Sequence, residues 1–312
     1  MVDKNHCMNN PTMEQRLEVI ASMRAQETGV YARCDWLALE NSESPQLPHT
    51  PQHATAPCDV NSDCREKMVV WCNNVVDFCG YSRETVEIAA SYVDRYLATP
   101  SGTRFRRNRM YFQLLFMTSL YTAIKIHEET ALDTSVFAGF GPEMMKPEDI
   151  EGMELKLLHA LRWHVNPPTT MGFVRLLLEA VPEDVIDAET LHDVHELSRV
   201  QTEFVCSNYH FVTVPPSIVA YCAIMNSLDN LRLSAKKLGY VGYFLSLVLK
   251  IDCNSDHVID VQSFLYPFVT LQMIDRHAPC DRKESRSIRK RRRRRRKSPQ
   301  DSPKSILYSS FL

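Results

Sequence analysis

The chain has 312 residues, enough for one large or two ordinary domains, and 44% of them are hydrophobic, which can supply a sizeable core. The nine glycines amount to about 3%, below the roughly 7% of average proteins, and with long runs of helix formers this predicts an all-α protein. The start MVDKNHCMNN has no apolar core, so we expect neither a signal peptide nor a membrane span.

The net charge of −2 conceals two oppositely charged parts. Residues 282–297 carry 12 Lys and Arg and one acid, which leaves 24 basic and 37 acidic groups, a net of −13, in the other 296 residues. A block of like charge repels itself. We therefore expect an acidic folded body followed by a disordered basic tail over 277–312.

Cysteine and histidine spacing gives no sign of a metal site. The ten cysteines are scattered, and no two have C-x-x-C spacing, so we expect reduced thiols. His192 and His195 share a predicted helix without paired ligands nearby, which favours solvated side chains over zinc binding. The sequence predicts neither a metal nor a cofactor.

The first sixty residues predict a helix and a linker. Residues 1–40 contain a helical segment that starts near Thr12, with Leu17, Ile20 and Met23 on one side. Residues 41–60 hold four Pro and four Ser or Thr, a composition that cannot build a core. We predict a linker over 41–61.

Residues 62–166 predict a first unit of five helices. The third is apolar almost all round from Tyr111 to Ile126, which indicates a central buried helix too short to cross a membrane. The others are expected over 62–79, over 83–98, around Thr134–Phe140, and from Lys146-Pro147 onward, where proline and acids mark a helix start.

Residues 167–276 predict a second unit, again of five helices. They are expected over about 169–180, 188–209, 215–228, 235–251 and 256–274, from the helical spacing of their apolar residues. Two successive units of this kind suggest a duplicated fold.

Four ionisable residues interrupt the apolar faces of the first unit. On a helical wheel, Lys125 falls within about 20° of Leu114, and Glu154, Arg65 and Asp94 lie in or beside apolar stripes. Charges leave water only when paired, so we predict the pairs Arg65–Asp94 and Lys125–Glu154. The first is expected to be internal. The second lies near helix ends, and two interpretations stay open: an internal salt bridge, or a pair that faces a partner.

Residues 65–173 carry a series of motifs that resemble the cyclin box. They are Arg65-x-x-Met68-x-x-Trp71, Tyr92-x-Asp94-Arg95-Tyr96-Leu97, Gln113-Leu114-Leu115, Ala123-x-Lys125, Met153-Glu154, Leu161-x-Trp163 and Pro167-Pro168-Thr169. The five positions that best define the box match Arg65, Asp94, Leu114, Lys125 and Glu154. The segment FLSLVLKIDCNSDHVIDVQSFL, which starts at Phe244, is similar to that of D-type cyclins.

The resemblance implies two tandem five-helix cyclin-like lobes and a regulatory subunit of a cyclin-dependent protein kinase. It implies that Lys125 and Glu154 contact the C-helix and N-lobe of the kinase. Arg65 and Asp94 would form the structural brace of the box, with Leu114 in the core. Such a protein contributes binding free energy and no catalytic group.

The resemblance also places a substrate-docking patch at Met68, Trp71 and Gln113. Cys64 and Lys67 depart from the family pattern, because Lys67 puts a positive charge where an apolar groove is expected. Trp71 by itself is more typical of a core residue.

The basic tail predicts nuclear localisation. Nine basic residues are consecutive: Arg289, Lys290, Arg291, Arg292, Arg293, Arg294, Arg295, Arg296 and Lys297. We predict a signal read by a nuclear import receptor, and a nuclear protein that shuttles with the cytoplasm. The alternative is nonspecific contact of the tail with nucleic acid. The acidic body disfavours it, and so does the lack of aromatic residues between the basic ones. Ser298 and Ser302 precede prolines, and phosphate there would mask the arginines.

Two other classes of function are alternatives to kinase regulation. The sequence has no Gly-rich phosphate loop, H-E-x-x-H motif or nucleophile elbow, so nothing nominates an enzyme. A transcription-associated adaptor shares the double five-helix fold and binds DNA or transcription machinery. The acidic body and the Lys125–Glu154 pair favour a kinase partner instead.

Overall fold

The computed structural model describes residues 12–43, 60–142, 145–182 and 184–277. Within these ranges the regular elements are thirteen α-helices and two 3₁₀ turns, and no strand is present. The prediction of an all-α protein is confirmed. No helix in these ranges combines the length and hydropathy that a membrane crossing requires.

The helices form an N-terminal pair and two lobes. The pair is α1 (Met13–Thr28) and α2 (Trp36–Glu43). The N-lobe contains α3 (Ser62–Cys79), α4 (Glu84–Leu97), α5 (Thr103–Arg106), α6 (Arg109–His127), α7 (Thr134–Ala138) and α8 (Pro147–Ala160). The C-lobe contains α9 (Thr170–Ala180), α10 (Ala188–Ser207), α11 (Pro216–Asn230), α12 (Ala235–Leu249) and α13 (Asp256–His277). Helices α2 and α5 were not predicted, and α2 runs into the stretch predicted as linker.

Local sequence signals set the ends of the main helices. Thr12 forms a capping box with Gln15 at the start of α1, and Asn61 and Asn108 accept backbone N–H groups at the starts of α3 and α6. Helix α3 ends at Gly80, whose φ of 79° is a left-handed conformation that glycine adopts without steric cost.

Helix α6 is the central helix of the N-lobe, as its composition predicts. It packs against α3, α4, α5 and α8, and twelve of its 19 residues are buried, among them the polar Thr118, Ser119 and Thr122. The prediction that Leu114 is a core residue needs correction. Leu114 is only partly buried at the edge of the core, because it lies close to the start of α6, where the helix reaches the surface.

Helix α11 occupies the same position in the C-lobe. It packs against α9, α10, α12 and α13, and it is buried from Pro216 to Leu228 except at Ile218. Each lobe thus surrounds one helix that is apolar almost all round, which is the arrangement expected of a duplicated five-helix unit.

The N-terminal pair contacts both lobes. Ile20 of α1 is fully buried in the C-lobe core, whereas Trp36 of α2 is fully buried in the N-lobe core.

Polar contacts also attach α1 to the C-lobe. Glu27 accepts hydrogen bonds from the backbone N (3.0 Å) and the Oγ (2.6 Å) of Ser217, at the first turn of α11. The Nε of Arg24 donates to the carbonyl of Leu249 at the end of α12 (3.1 Å). Helix α1 is therefore attached to the C-lobe by buried polar contacts as well as by apolar packing.

Replacing Glu27 with Ala should destabilise the protein, because it leaves two donors of Ser217 buried without a partner. We expect a loss of about 1–3 kcal/mol in the free energy of unfolding, measured by urea denaturation. The matched control is Glu18→Ala, an exposed position on the same helix, with an expected change within about 0.5 kcal/mol. Equal losses in the two variants would contradict this account of how α1 is held.

Candidate functional site

A buried ion pair joins α3 and α4, as the sequence predicts. The Nη2 of Arg65 lies 2.8 Å from Oδ2 of Asp94, and its Nε lies 2.9 Å from Oδ1, so the contact is bidentate. The two side chains are 2% and 0% exposed. Burial lowers the pKa of Arg65, but the charge and hydrogen bonds of Asp94 outweigh it and hold that pKa above its ordinary value. Arg65 therefore stays charged.

Two further groups complete this cluster. The indole N–H of Trp36 donates to Oδ1 of Asp94 (3.1 Å), and the Nη1 of Arg65 donates to the backbone carbonyl of Cys206 in α10 (2.7 Å). The cluster therefore joins the N-terminal pair, the N-lobe and the C-lobe. Neither Trp36 nor Cys206 was predicted, although a tryptophan in a mostly polar N-terminal segment is a signal for a buried anchor.

The second predicted pair forms on the surface of the N-lobe. The Nζ of Lys125 in α6 lies 2.9 Å and 3.2 Å from the two carboxylate oxygens of Glu154 in α8. The side chain of Lys125 is 48% exposed and that of Glu154 is 13% exposed. The hydrogen bond to Glu154 raises the pKa of Lys125, so the amine stays charged at neutral pH. The pair is formed before any partner arrives.

The surroundings of this pair fix its position and leave it accessible. The hydroxyl of Thr122, one turn before Lys125, donates to Oε1 of Glu154 (3.2 Å), which holds the carboxylate against α6. The next residues in the chain, Ile126 and Leu155, are 44% and 56% exposed. A charged pair beside exposed apolar side chains is typical of a protein–protein contact surface, and it offers orientation and apolar area rather than acid–base chemistry.

The residues predicted for substrate docking lie in the interior. Met68, Trp71 and Gln113 are 0%, 1% and 4% exposed. Lys67, on the outer side of α3, pairs with Asp63 across one helical turn (3.0 Å). The expectation that Trp71 belongs to the core is confirmed. The docking role of these three residues stays a prediction, and their burial disfavours it because a docked peptide needs accessible side chains.

Other predicted positions lie away from this surface. The Nδ1 of His195 lies 3.3 Å from Oε1 of its neighbour Glu196. In the described ranges no group of three or more His, Cys, Asp or Glu is arranged to hold a metal ion. The basic block 289–297 and the serines Ser298 and Ser302 lie outside the described residues.

Comparisons with known proteins give several relatives that are named cyclins. Residues 36–166 match the family model described as cyclin, N-terminal domain. The chain is 24% identical to G1/S-specific cyclin-D1 of Homo sapiens over 199 residues, which are 62% of this chain and 64% of that protein. It is 26% identical to cyclin-A1-2 of Oryza sativa subsp. japonica over 189 residues, 61% of this chain and 38% of that protein. The chain thus spans less than two thirds of these curated relatives.

A solved structure has the same fold. The viral cyclin from herpesvirus saimiri superposes with a TM-score of 0.57 and 12% identity, covering 81% of this chain and 96% of that one. At this identity the likeness extends to the fold, and the match covers both lobes rather than the N-lobe alone.

Replacing Asp94 with Ala should strongly destabilise the protein, because it leaves the charge of Arg65 buried and unpaired. We expect a loss of about 3–5 kcal/mol in the free energy of unfolding by urea denaturation. The control Asp77→Ala breaks an exposed pair with Arg83, whose side chains are 39% and 40% exposed, and should cost at most about 1 kcal/mol.

If Asp94→Ala does not fold at all, Trp36→Phe removes a single donor of the same cluster. That variant should unfold at a lower urea concentration than Asp77→Ala. Similar midpoints for Asp94→Ala and Asp77→Ala would show that burial of the pair is not what stabilises this junction.

Proposed function

We propose a kinase-regulating role for this chain, which belongs to the cyclin family. In this proposal the chain binds a cyclin-dependent serine/threonine protein kinase, activates it and so regulates cell-cycle progression. One observation carries the proposal most directly. The Lys125–Glu154 pair is already formed on the N-lobe surface, where the side chain of Lys125 is 48% exposed, beside the exposed Ile126 and Leu155.

The proposed mechanism is selection of one kinase conformation. The pair and its apolar surroundings bind the mobile C-helix and the N-lobe of the kinase when that helix is rotated inward. The Lys–Glu ion pair of the kinase then forms and aligns the ATP phosphates. Each 1.4 kcal/mol of preference for the inward state shifts its population about tenfold, so a modest surface suffices. No catalytic group of this chain takes part.

The geometry of the pair suits this role for a physical reason. A lysine has three donors, and Lys125 directs its bonds at Glu154, which keeps its long side chain ordered on the surface. Ordering a free lysine at an interface costs side-chain entropy. Because Glu154, itself held by Thr122, already holds Lys125 in place, part of that cost is met before the kinase binds.

Replacing Lys125 or Glu154 with Ala should weaken kinase activation without unfolding the protein. Exposed pairs contribute at most about 1 kcal/mol to stability, so the helical circular dichroism spectrum should be unchanged. We expect at least about a tenfold loss of kinase affinity, measured by titration of kinase activity. Lys67→Ala, which breaks the exposed pair with Asp63 on the same lobe, is the matched control and should activate normally.

Two binding assays on the full-length wild-type chain distinguish a kinase partner from DNA. The full chain should capture a cyclin-dependent kinase in a pull-down and should not shift duplex DNA at physiological salt. A DNA shift with no kinase captured would favour the transcription-associated adaptor. Normal activation by both Lys125→Ala and Glu154→Ala would show that the kinase surface lies elsewhere.

We further propose that residues 289–297 direct the protein to the nucleus. The support is the sequence itself, nine consecutive basic residues attached to an otherwise acidic chain, followed by Ser298-Pro299 and Ser302-Pro303. Phosphate on either serine would add a charge of about −1.5 to −2 beside the arginines and weaken the attraction for an import receptor. The protein would then shuttle according to its phosphorylation.

A fluorescent fusion that lacks residues 289–297 should spread into the cytoplasm, because the import receptor loses the charges that it reads. The nuclear-to-cytoplasmic fluorescence ratio is the measurement. The control deletes residues 304–312, which is a segment of the same length, and should leave the fusion nuclear. Undiminished nuclear accumulation without residues 289–297 would contradict the proposal.

A further inference from the structure

Helix α12 is apolar on two opposite sides, and the fold explains only one of them. On the inner side Val241, Leu245 and Leu249 are buried in the C-lobe core. On the outer side Tyr240, Tyr243 and Leu247 are 49%, 66% and 56% exposed. Their spacing of three and four residues puts them on one side of the helix. A helix that is apolar all round is usually covered on all sides, so the outer side lacks a partner in the described structure.

Lysines lie at both ends of this exposed row. Lys236 lies one turn before Tyr240, and Lys250 follows Leu247 at the end of the helix. The helix contains no Asp or Glu, and neither lysine forms a salt bridge in the described part of the chain. The nearby Asp252 accepts the backbone N–H of Asn254 (3.0 Å). We call Lys236, Tyr240, Tyr243, Leu247 and Lys250 the α12 stripe.

We propose that the α12 stripe binds an acidic amphipathic helix of a second protein. Apolar side chains of that helix would cover Tyr240, Tyr243 and Leu247, and its carboxylates would meet Lys236 and Lys250. From Lys236 to Lys250 the stripe is about 21 Å long, which matches a partner helix of roughly four turns. A Cβ added at the exposed Gly239 would meet no atom within 4 Å, so there is open space next to Tyr240 for a partner side chain.

Charge argues against two other occupants. In a symmetric dimer of this chain with antiparallel α12 helices, Lys236 of each copy would face Lys250 of the other, with no acid on the helix to neutralise them. An anionic membrane is a broad surface that would face the body of the chain, which has a net charge of −13 outside residues 282–297, whereas a single helix faces only the stripe with its two lysines. An acidic helix is attracted by the same lysines that oppose the dimer.

This surface is separate from the proposed kinase contact. It lies on the C-lobe, whereas Lys125 and Glu154 lie on the N-lobe. The inference therefore does not depend on the kinase proposal, and a kinase-bound chain could recruit a second protein, such as a substrate, through α12.

The test is a binding titration with a designed peptide. The probe is a fluorescein-labelled helical peptide of roughly 18 residues, with leucines along one side and glutamates on both flanks. Fluorescence anisotropy with the full chain should show saturable binding that weakens with salt.

Two double variants test the stripe itself. The variant with Tyr243→Ser and Leu247→Ser should bind the peptide about tenfold more weakly or worse. The variant with Lys236→Glu and Lys250→Glu should also lose affinity for the peptide. Controls are Ile259→Ser and Val136→Ser, which are exposed apolar positions elsewhere and should bind as the wild type does.

Several results would overturn the proposal. These are no saturable binding by the wild type, equal binding by the stripe variants, or equal binding of a peptide with lysines in place of the glutamates. Self-association in sedimentation that the stripe variants abolish would assign the surface to a second copy. Stripe-dependent binding to vesicles of phosphatidylcholine and phosphatidylserine would assign it to a membrane. All the substituted side chains are exposed, so circular dichroism should confirm that each variant is folded.

Discussion

The buried salt bridge between Arg65 and Asp94 is the interaction on which the arrangement of the two lobes depends. A buried charge is tolerated only when an opposite charge and hydrogen bonds offset the loss of hydration. Here three contacts provide them. Asp94 is satisfied by Arg65 and by the indole of Trp36, and Arg65 also reaches the carbonyl of Cys206. Moving α2, α4 or α10 relative to α3 would leave one of these buried groups unpaired. The cluster thus sets the geometry of the junction more strictly than apolar packing alone, which tolerates small shifts.

This rigidity explains how the N-lobe presents its accessible pair. Helix α6 is enclosed by its neighbours along most of its length and reaches the surface only near its ends. Lys125 lies at the exposed end, so its position is fixed by a well-packed core behind it, and Glu154 is fixed by the packing of Ile150, Met153 and Leu157 in α8. A binding surface on rigid helices loses little conformational entropy when a partner docks.

The sequence alone predicts the helices of this structure better than the long-range contacts between them. The helices follow from apolar periodicity and from caps such as Asn108, and both ion pairs follow because a charge on an apolar face requires a partner. Trp36 and Cys206 could not be predicted as partners of the pair, since they are 58 and 141 residues away from the residues they contact and share no periodic pattern with them. A helical wheel gives direction but not depth, so it could not show that Leu114 is only partly buried or that Met68 and Gln113 are buried. How much of each helix its neighbours cover is a property of the assembled fold.

The attachment of α1 to the C-lobe also has a consequence for the order of folding during synthesis. Arg24 contacts the carbonyl of Leu249, 225 residues further along the chain. The ribosome makes α1 first among the described helices, at about 5–20 residues per second, so many seconds pass before α12 emerges. During that time the whole N-lobe can assemble around α6, while the buried face of α1 has no surface to occupy. Docking of α1 is therefore a late event that closes a very long loop, and until it occurs Ile20 is exposed to chaperones and to other nascent chains.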